Sequence, residues 1–271
     1  MKKLLLTLLT LVLILCLSAC GTESADDNII KVSATPSPHA EILEEAKEIL
    51  EEEYGYTLEI EVLTDYYVFN RALEDEEVDA NYFQHLPYLE NDLEKYGYDI
   101  VNAGEIHIEP FGFFSKTIQS IDELKENDTI VISNSISDHG RILTILSDAG
   151  VITLDSSVTS VDATTQDIID NPLNLEFVEI KPELLASAYE NEEGALVAIN
   201  GNYALQAGLN PVEDAVLLED VSSDNPYVNV VACKSKDKDS DKIKALVEVL
   251  KSDAIKEFIN EKYQGSVIVI E

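Results

Sequence analysis

Ten consecutive residues, 79–88, contain three aromatic side chains, one histidine, one asparagine and one glutamine. Apolar walls with a few polar groups are typical of pockets that bind small molecules. Tyr82, Phe83 and Tyr88 could line such an apolar slot, with His85 as a polar group at its edge. The same residues could equally form an aromatic core cluster under a loop, and composition does not separate the two interpretations.

The elements that would position these side chains are a strand and a helix. We predict a short strand at residues 78–82, a turn at 83–86 and a helix at 87–96, because Pro87 fits the first turn of a helix. In an open α/β sheet, a turn from strand to helix lies at the carboxyl end of the strand, where ligands bind. The prediction therefore places the aromatic residues at a ligand-binding edge.

Arg141 is a candidate for binding an anion. The chain has 18 basic and 53 acidic residues, so positive charge is scarce. Arg141 follows Gly140 in the predicted first turn of a helix, where a guanidinium and the helix N-terminus together would bind a carboxylate. The alternative is a surface arginine paired with Asp138 or Asp148.

Asn200 and Asn202 follow an apolar run at residues 195–199 that is typical of a buried strand. Their amides can both donate and accept hydrogen bonds to a ligand. Because Gly201 lies between them, an ordinary turn is the alternative.

Metal binding and catalysis find little support in the sequence. A zinc site could be built from the four histidines and an acidic residue, but their spacings match no ligand motif. The chain has no glycine-rich phosphate loop and no Gly-x-Ser-x-Gly motif, so we predict no metal, no cofactor and no enzymatic activity. The residues of that alternative metal site are His39, His85, His107 and His139, with Glu109 or Asp138.

The N-terminus is typical of an exported protein. Lys2 and Lys3 precede an apolar stretch at residues 4–17, which is too short for a membrane span of roughly 20 residues. The sequence Leu17-Ser18-Ala19-Cys20 resembles the bacterial lipobox. We therefore predict a lipoprotein signal peptide at residues 1–20 with lipid on Cys20, followed by a polar tether at 21–28; an uncleaved helix is the alternative.

The charge of the chain argues against two classes of partner, and its cysteine content argues against an internal disulfide. The net charge is −35, which repels nucleic acid and anionic lipid headgroups. Once Cys16 is removed with the signal peptide and Cys20 is acylated, Cys233 is the only free thiol, so no internal disulfide is expected. Cys233 lies in a strand-like run and is interpreted as a small buried hydrophobic residue.

Predicted strands alternate with predicted helices along the chain, which favours an α/β fold with mostly parallel sheets. Among them are a strand over Leu58, Ile60 and Val62, and a helix at residues 164–170. The alternation restarts near residue 113, which suggests two lobes.

Several motifs together resemble one family, the NlpA-type substrate-binding lipoproteins of bacterial methionine ABC importers. The resemblance covers about residues 29–265, and its motifs are specific only in combination. They are Thr35-Pro36, Pro38-His39-Ala40-Glu41-Ile42-Leu43, Thr64-Asp65-Tyr66, Asp79-Ala80-Asn81, Phe83-Gln84-His85, Pro87-Tyr88-Leu89, His107-Ile108-Glu109-Pro110, Gly140-Arg141, Asn171-Pro172, Ala198-Ile199-Asn200-Gly201-Asn202-Tyr203-Ala204 and Pro226-Tyr227-Val228-Asn229.

The resemblance implies an α/β, two-lobed periplasmic-binding-protein clamp of type II-like architecture, with crossover strands near Gly112 and Tyr227. Lobe 1 would comprise residues 29–112 plus 229–271, and lobe 2 residues 113–228. The implied protein is a monomer, lipid-anchored on the extracytoplasmic face of the cell membrane. It would deliver methionine to an ABC importer permease and its ATPase, with the L-enantiomer as the expected ligand and the D-enantiomer as an alternative.

The resemblance also implies a pocket made by both lobes. Aromatic walls suit a thioether, and a guanidinium with amide partners suits a zwitterion. By the resemblance, the methionine side chain would be enclosed by Tyr66, Phe83, His85 and Tyr88, the carboxylate bound by Arg141, and the amino and carboxylate ends hydrogen-bonded by Asn200 and Asn229.

One segment departs from the family pattern, in which prolines precede the Gly-Arg pair. Here residues 133–139 read Ser-Asn-Ser-Ile-Ser-Asp-His, without proline. Asp138 could pair with Arg141 and weaken its hold on a carboxylate, or could recruit the ligand's ammonium group. A methionine-containing dipeptide or another small apolar amino acid are therefore alternative ligands, and a zinc-binding lipoprotein is a further alternative.

Overall fold

The structure is a computed structural model and describes residues 28–221 and 225–270. The predicted signal peptide, Cys20 and nearly all of the predicted tether lie outside these residues. Within the described ranges, no helix combines the length and the apolar character needed to cross a membrane.

Six strands form the first sheet, in the order β13-β4-β12-β3-β1-β2. β1 runs parallel to β2 and β3, whereas β12 runs antiparallel to β3 and β4. The strands are β1 (Ile29–Ala34), β2 (Thr57–Val62), β3 (Ala80–His85), β4 (Ile100–Ile108), β12 (Val228–Lys234) and β13 (Ile268–Val269).

Five strands form the second sheet, in the order β11-β5-β10-β6-β9. β6 runs parallel to β9 and β10, and β5 runs antiparallel to β10 and β11. The strands are β5 (Gly112–Phe114), β6 (Thr129–Ser133), β9 (Glu176–Ile180), β10 (Leu196–Ile199) and β11 (Leu217–Leu218), and a separate pair is formed by β7 (Thr153–Leu154) and β8 (Ile168–Asp170).

Nine α-helices lie within the described ranges, and shorter helical segments at Pro36–Ala40 and Leu50–Tyr54 extend the first of them at both ends. Gly55 ends this run in a left-handed conformation with φ 74°, as glycine does readily. The helices are α1 (Glu41–Ile49), α2 (Tyr66–Glu74), α3 (Leu86–Tyr96), α4 (Ile136–Asp148), α5 (Leu185–Glu190), α6 (Gly201–Gln206), α7 (Pro211–Asp214), α8 (Asp241–Leu250) and α9 (Asp253–Tyr263).

Each sheet has its own apolar core, so the molecule has two lobes. In lobe 1, helices α1, α8 and α9 pack on one face of the first sheet, and α2 and α3 pack on the other. In lobe 2, α4 covers the second sheet with Ile142, Leu143 and Leu146. The chain passes from the first sheet to the second between β4 and β5, and returns between β11 and β12.

The α/β two-lobed fold predicted above is confirmed, but both sheets are mixed rather than mostly parallel. The reason is the crossing itself: β5 and β12 enter each sheet from the opposite lobe and run antiparallel to their neighbours.

Two local predictions were wrong. The residues 83–86 assigned to a turn instead continue β3 as far as His85, because Gln84 and His85 pair with Val230 and Asn229 of β12. The helix predicted at residues 164–170 is a single turn, Thr165–Asp167, followed by β8. In both places a strand partner distant in sequence decides the backbone conformation.

Candidate functional site

A pocket lies between the two lobes, where the carboxyl ends of β3 and β10 meet. With the lobes in contact, the cavity that its lining side chains leave is small, about 20 Å³. All seven side chains predicted as ligand contacts lie around it, and their roles stay predictions. The lining comprises Tyr66, Phe83, Gln84, His85, Tyr88, Glu109, Arg141, Asn200, Gly201, Asn202 and Asn229.

Aromatic rings form one wall of the pocket. The Tyr66 ring centroid is 5.7 Å from that of Phe83 and 5.8 Å from that of Tyr88. Behind them, Phe69 stacks on Phe83 at 4.0 Å, and Tyr203 of lobe 2 reaches Tyr66 at 5.0 Å. Both interpretations of the aromatic stretch are right for Phe83 and Tyr88, which belong to a core cluster and also face the pocket. The prediction that Tyr82 lines the slot was wrong, because its ring is buried in the core of lobe 1.

His85 connects the two lobes. It is the N-cap residue of α3, where its Nδ1 accepts a hydrogen bond from the backbone N–H of Tyr88 at 3.1 Å. Since Nδ1 is an acceptor, the ring proton is on Nε2, which donates to Asp138 Oδ1 at 3.1 Å. The cap therefore determines a neutral tautomer that points its donor at lobe 2.

Asp138 is almost fully buried, with 1% of its surface exposed. Burial acts to raise the pKa of this carboxyl, but the His85 ring, with smaller contributions from Ser133 and Asn200, holds it below its usual value. Within the described residues, the second oxygen, Oδ2, has no hydrogen-bond partner. Asp138 is thus an ionised carboxylate with one unused acceptor.

Arg141 is buried, so its interpretation as a surface residue was wrong. Its partner is Glu219 rather than an aspartate: Nε donates to Oε1 at 3.0 Å and Nη2 to Oε2 at 2.5 Å. Nη2 also donates to the backbone carbonyl of Glu109 at 2.7 Å, and the guanidinium lies 4.6 Å from the Tyr227 ring centroid. This side-on arrangement uses Nε and Nη2, and none of the described residues accepts a hydrogen bond from Nη1.

The position of Arg141 in its helix also differs from the prediction. Helix α4 begins at Ile136 with Ser135 as the N-cap residue, so Arg141 lies in the second turn. Glu219, 78 residues away, satisfies its charge. Burial acts to raise the pKa of Glu219, but the charge of Arg141 outweighs it and keeps the pKa low.

A second histidine–carboxylate group surrounds Glu109, at the first crossing between the sheets. The Nε2 atoms of His107 and His39 lie 3.0 Å and 3.4 Å from Glu109 Oε1. The Nδ1 atoms of the two rings are hydrogen-bonded to the hydroxyls of Tyr82 and Thr35. Burial lowers the pKa of His39 to about 4 and that of His107 to about 3, and it raises the pKa of Glu109.

The structure does not bring the four histidines together as one site. Only His39 and His107 lie beside Glu109, whereas His85 binds Asp138 and His139 donates to the carbonyl of Ser133. Because the four rings lie at three separate places, the four-histidine zinc arrangement was wrong, although ligand atoms of His39, His107 and Glu109 lie within 4.8 Å of one another.

Three asparagines offer amide groups to the pocket. Asn229 Oδ1 lies 3.1 Å from His39 Nε2, which leaves the Nδ2 donor of Asn229 for other partners. Asn202 Oδ1 accepts from the Tyr66 hydroxyl at 2.5 Å across the lobes. Within the described chain, Asn200 Oδ1 and Asn202 Nδ2 have no partner although both atoms are buried.

Gly201 allows these amides to approach Glu109. A Cβ atom at this position would lie 2.7 Å from Glu109 Oε2, which is too close for any side chain. The glycine interpreted as a turn former is therefore also needed for a close contact between the lobes.

The sequence reasoning missed Glu219 altogether, and it named Gln84 without a role. Gln84 and Asn81 bond Asn70 in a buried amide network, with Asn70 Nδ2 donating to Asp92 at 2.9 Å. The clustering of amides at residues 81 and 84 was the available signal for this network. Glu219 carried no local signal, because it is one of 53 acidic residues.

The lobes are in close contact around the pocket. The Tyr203 hydroxyl of lobe 2 donates to the Thr64 carbonyl of lobe 1 at 2.6 Å, in addition to the bonds made by Tyr66 and His85. The structure is therefore that of a closed clamp.

Known proteins share both sequence and structure with this chain. A methionine-binding lipoprotein MetQ of Bacillus subtilis is 52% identical over 100% of this chain and 99% of its own length, and a D-methionine-binding lipoprotein MetQ of Escherichia coli is 34% identical over 94% and 93%. A crystal structure of a putative methionine-binding lipoprotein from Bacillus subtilis superposes with a TM-score of 0.89 and 52% identity, and covers 91% of this chain and 100% of its own.

A nutrient-binding protein from Burkholderia cenocepacia, bound to methionine, has a TM-score of 0.84 at 34% identity and covers 89% of this chain and 99% of its own. The family model described as NlpA lipoprotein matches residues 30–270. The resemblance found in the sequence motifs is confirmed, and the chain belongs to the NlpA lipoprotein family.

Proposed function

We propose that this protein is the lipid-anchored, extracytoplasmic substrate-binding component of an ABC importer and that its ligand is methionine. The observation that carries the proposal is a pocket between two lobes that combines aromatic walls, a buried arginine and unpaired amide atoms. The names of the relatives support the ligand, since several are methionine-binding lipoproteins and one relative was crystallised with methionine.

In this proposal the thioether lies against Tyr66, Phe83 and Tyr88, with His85 at the edge. Sulfur–aromatic contacts are favourable and the unbranched side chain adapts to an irregular slot. Burial of these rings supports a dry wall, since each is less than a tenth exposed.

The carboxylate of the ligand is assigned to Arg141 of lobe 2 and to Asn229 of β12, the strand that returns from lobe 2. Glu219 accepts hydrogen bonds from Nε and Nη2 along one edge of the Arg141 guanidinium and leaves Nη1, while Asn229 keeps its Nδ2 donor. A charge-assisted bond with one amide partner is a good carboxylate site. Glu219 then orients Arg141 without contacting the ligand.

Closure of the lobes would signal that ligand is bound. We propose that the lobes are residues 29–112 with 229–271, and residues 113–228, and that they open about the two crossovers to admit methionine. The closed monomer, held at the membrane through Cys20, would then dock on the permease, which works with its ATPase. Binding without chemical change is sufficient for this role.

Calorimetric titration with L-methionine and D-methionine tests the proposal, using protein that lacks residues 1–20 and was unfolded and refolded to remove carried ligand. Binding of L-methionine with a 1:1 stoichiometry is expected. Arg141→Lys keeps a charge for Glu219 but loses the fork, and should weaken binding by at least tenfold. Arg71→Lys is the matched control, because Arg71 is exposed and should leave affinity unchanged.

No heat and no protection against thermal unfolding with either enantiomer would overturn methionine as the ligand. Unchanged affinity in Arg141→Lys would overturn the carboxylate anchor but not the ligand.

A further inference from the structure

We propose that Asp138 is the acceptor for the ligand's ammonium group, so that the pocket selects a free α-ammonium more strictly than a free carboxylate. The inference rests on the proposed function and identifies which charged group of the ligand the pocket recognises. It is carried by the bonding of Asp138, by the acceptors beside it and by the charge balance of the lining.

The bonding of Asp138 leaves its negative charge without a cation. His85 donates one neutral N–H to Oδ1, because its Nδ1 is already committed to the backbone of Tyr88. Oδ2 is buried and, among the described residues, unpartnered. A buried carboxylate with one oxygen unpaired is costly, and a bound cation would remove that cost.

The group next to Asp138 also presents an acceptor. Asn200 is close enough to act on the carboxyl of Asp138, and its Oδ1 is buried and unpaired within the described chain. Two unused acceptors require a donor, and an ammonium has three N–H bonds to offer. The same pair of oxygens would repel a carboxylate.

The charges of the residues at the pocket also favour a cationic group on the ligand. Arg141 is the one cation among the described lining residues, and Glu219 neutralises it with two hydrogen bonds. Asp138 is not itself a lining residue, but it is hydrogen-bonded to one, His85, and it has no such counter-ion. The pocket together with this carboxylate is therefore neutral to negative, and a ligand that brings only an ammonium balances the charge.

The inferred substrate class is a molecule with a primary α-ammonium next to an unbranched apolar side chain. The carboxylate adds affinity through Arg141 Nη1 but an amide at that end is tolerated. Acetylation of the amine removes the charge and places a carbonyl oxygen against Asp138, which should abolish binding.

The test compares three ligands on three proteins by calorimetry at about pH 6.5, where an α-amino group with a pKa of roughly 7.7–8.0 is protonated. The ligands are L-methionine, L-methioninamide and N-acetyl-L-methionine, and the proteins are wild type, Asp138→Asn and Asp148→Asn. Asp148 is the matched control because it lies exposed on the same helix, α4. Asp138→Asn keeps an acceptor for His85 and removes only the charge.

We expect wild type and Asp148→Asn to bind L-methionine and L-methioninamide and to reject N-acetyl-L-methionine. Asp138→Asn should bind both amines at least tenfold more weakly. Equal affinity of Asp138→Asn and wild type for L-methionine would overturn the inference, and so would wild-type binding of N-acetyl-L-methionine in preference to L-methioninamide. The second comparison needs no variant and therefore holds even if Asp138→Asn does not fold.

The two proposals fail differently. A wild-type protein that binds neither amine overturns the proposed function together with this inference. A wild-type protein that binds methionine with no dependence on Asp138 overturns the inference alone.

Discussion

Among the described residues, His85 with Asp138 and His107 with Glu109 are buried pairs of a histidine and a carboxylate, and they differ in what surrounds the carboxylate. His85 Nε2 lies 3.1 Å from Asp138 across the lobes, and His107 Nε2 lies 3.0 Å from Glu109 at the end of β4. The pKa is held below its usual value in Asp138 but is raised by burial in Glu109.

The number of fixed partners separates the two pairs. Glu109 is hydrogen-bonded to His107 and lies 3.4 Å from His39 within lobe 1, and it also meets the first turn of α6 from lobe 2. Asp138 keeps one oxygen unpaired and is bonded across the gap between the lobes. Of the two carboxylates, only Asp138 has a buried oxygen without a hydrogen-bond partner among the described residues, so Asp138 is the one available to a donor of the ligand.

The largest expected effect on stability concerns the pair formed by Glu109 and His107. Glu109→Ala leaves the Nε2–H of His107 buried without its acceptor, whereas that of His39 keeps Asn229 Oδ1 at 3.1 Å. One fully buried group of this kind costs up to about 3 kcal/mol. We expect the free energy of unfolding to fall by about 3 kcal/mol, measured by urea denaturation. Glu109→Gln keeps one acceptor and should lose less than half as much; equal losses in the two variants would contradict the explanation.

The next largest expected effect is a loss of stability on acidification, caused by the two histidines beside Glu109. His39 and His107 have folded pKa values of about 4 and about 3, below the unfolded value of 6.5, so the unfolded state binds protons first as pH falls. The free energy of unfolding is therefore highest above pH 6.5. It falls by about 2 kcal/mol as the pH is lowered from roughly 7 to 5.5. Glu109 acts in the opposite sense, since its raised pKa makes the folded state bind a proton first.

Urea denaturation across this range measures the slope, and the chemical shifts of the histidine ring protons report each site directly. The rings of His39 and His107 should stay neutral in the folded protein at about pH 5.5. Protonation of either ring near pH 6.5 in the folded state would contradict the burial argument.

The smallest effect concerns the two roles of His85, which caps α3 and bonds Asp138. His85→Asn keeps a good N-cap acceptor but is too short to reach lobe 2, whereas His85→Ala loses both. His85→Ala should therefore be less stable than His85→Asn by about 1 kcal/mol, the usual value of a cap. Thermal unfolding measures the difference, and identical midpoints would mean that the cap contributes nothing.

Local patterns in the sequence determined most of the elements and the types of residue at the site. Residues at helical spacing predicted α1, alternation predicted β2 and Gly55 predicted the helix end, because each depends on neighbours within a few positions. The motifs also named seven side chains that the fold brings to one pocket, among them Arg141 and Asn229.

Tertiary structure alone decided how those side chains are paired. Arg141 meets Glu219 rather than Asp138, and β3 continues through His85 because β12 lies beside it. These choices depend on which groups are left unsatisfied when distant segments meet, and a chain with 53 acidic residues offers many carboxylates for one guanidinium. Spacing in the sequence does not indicate which of these carboxylates pairs with the guanidinium, because hydrogen-bond energy depends on distance and direction in three dimensions.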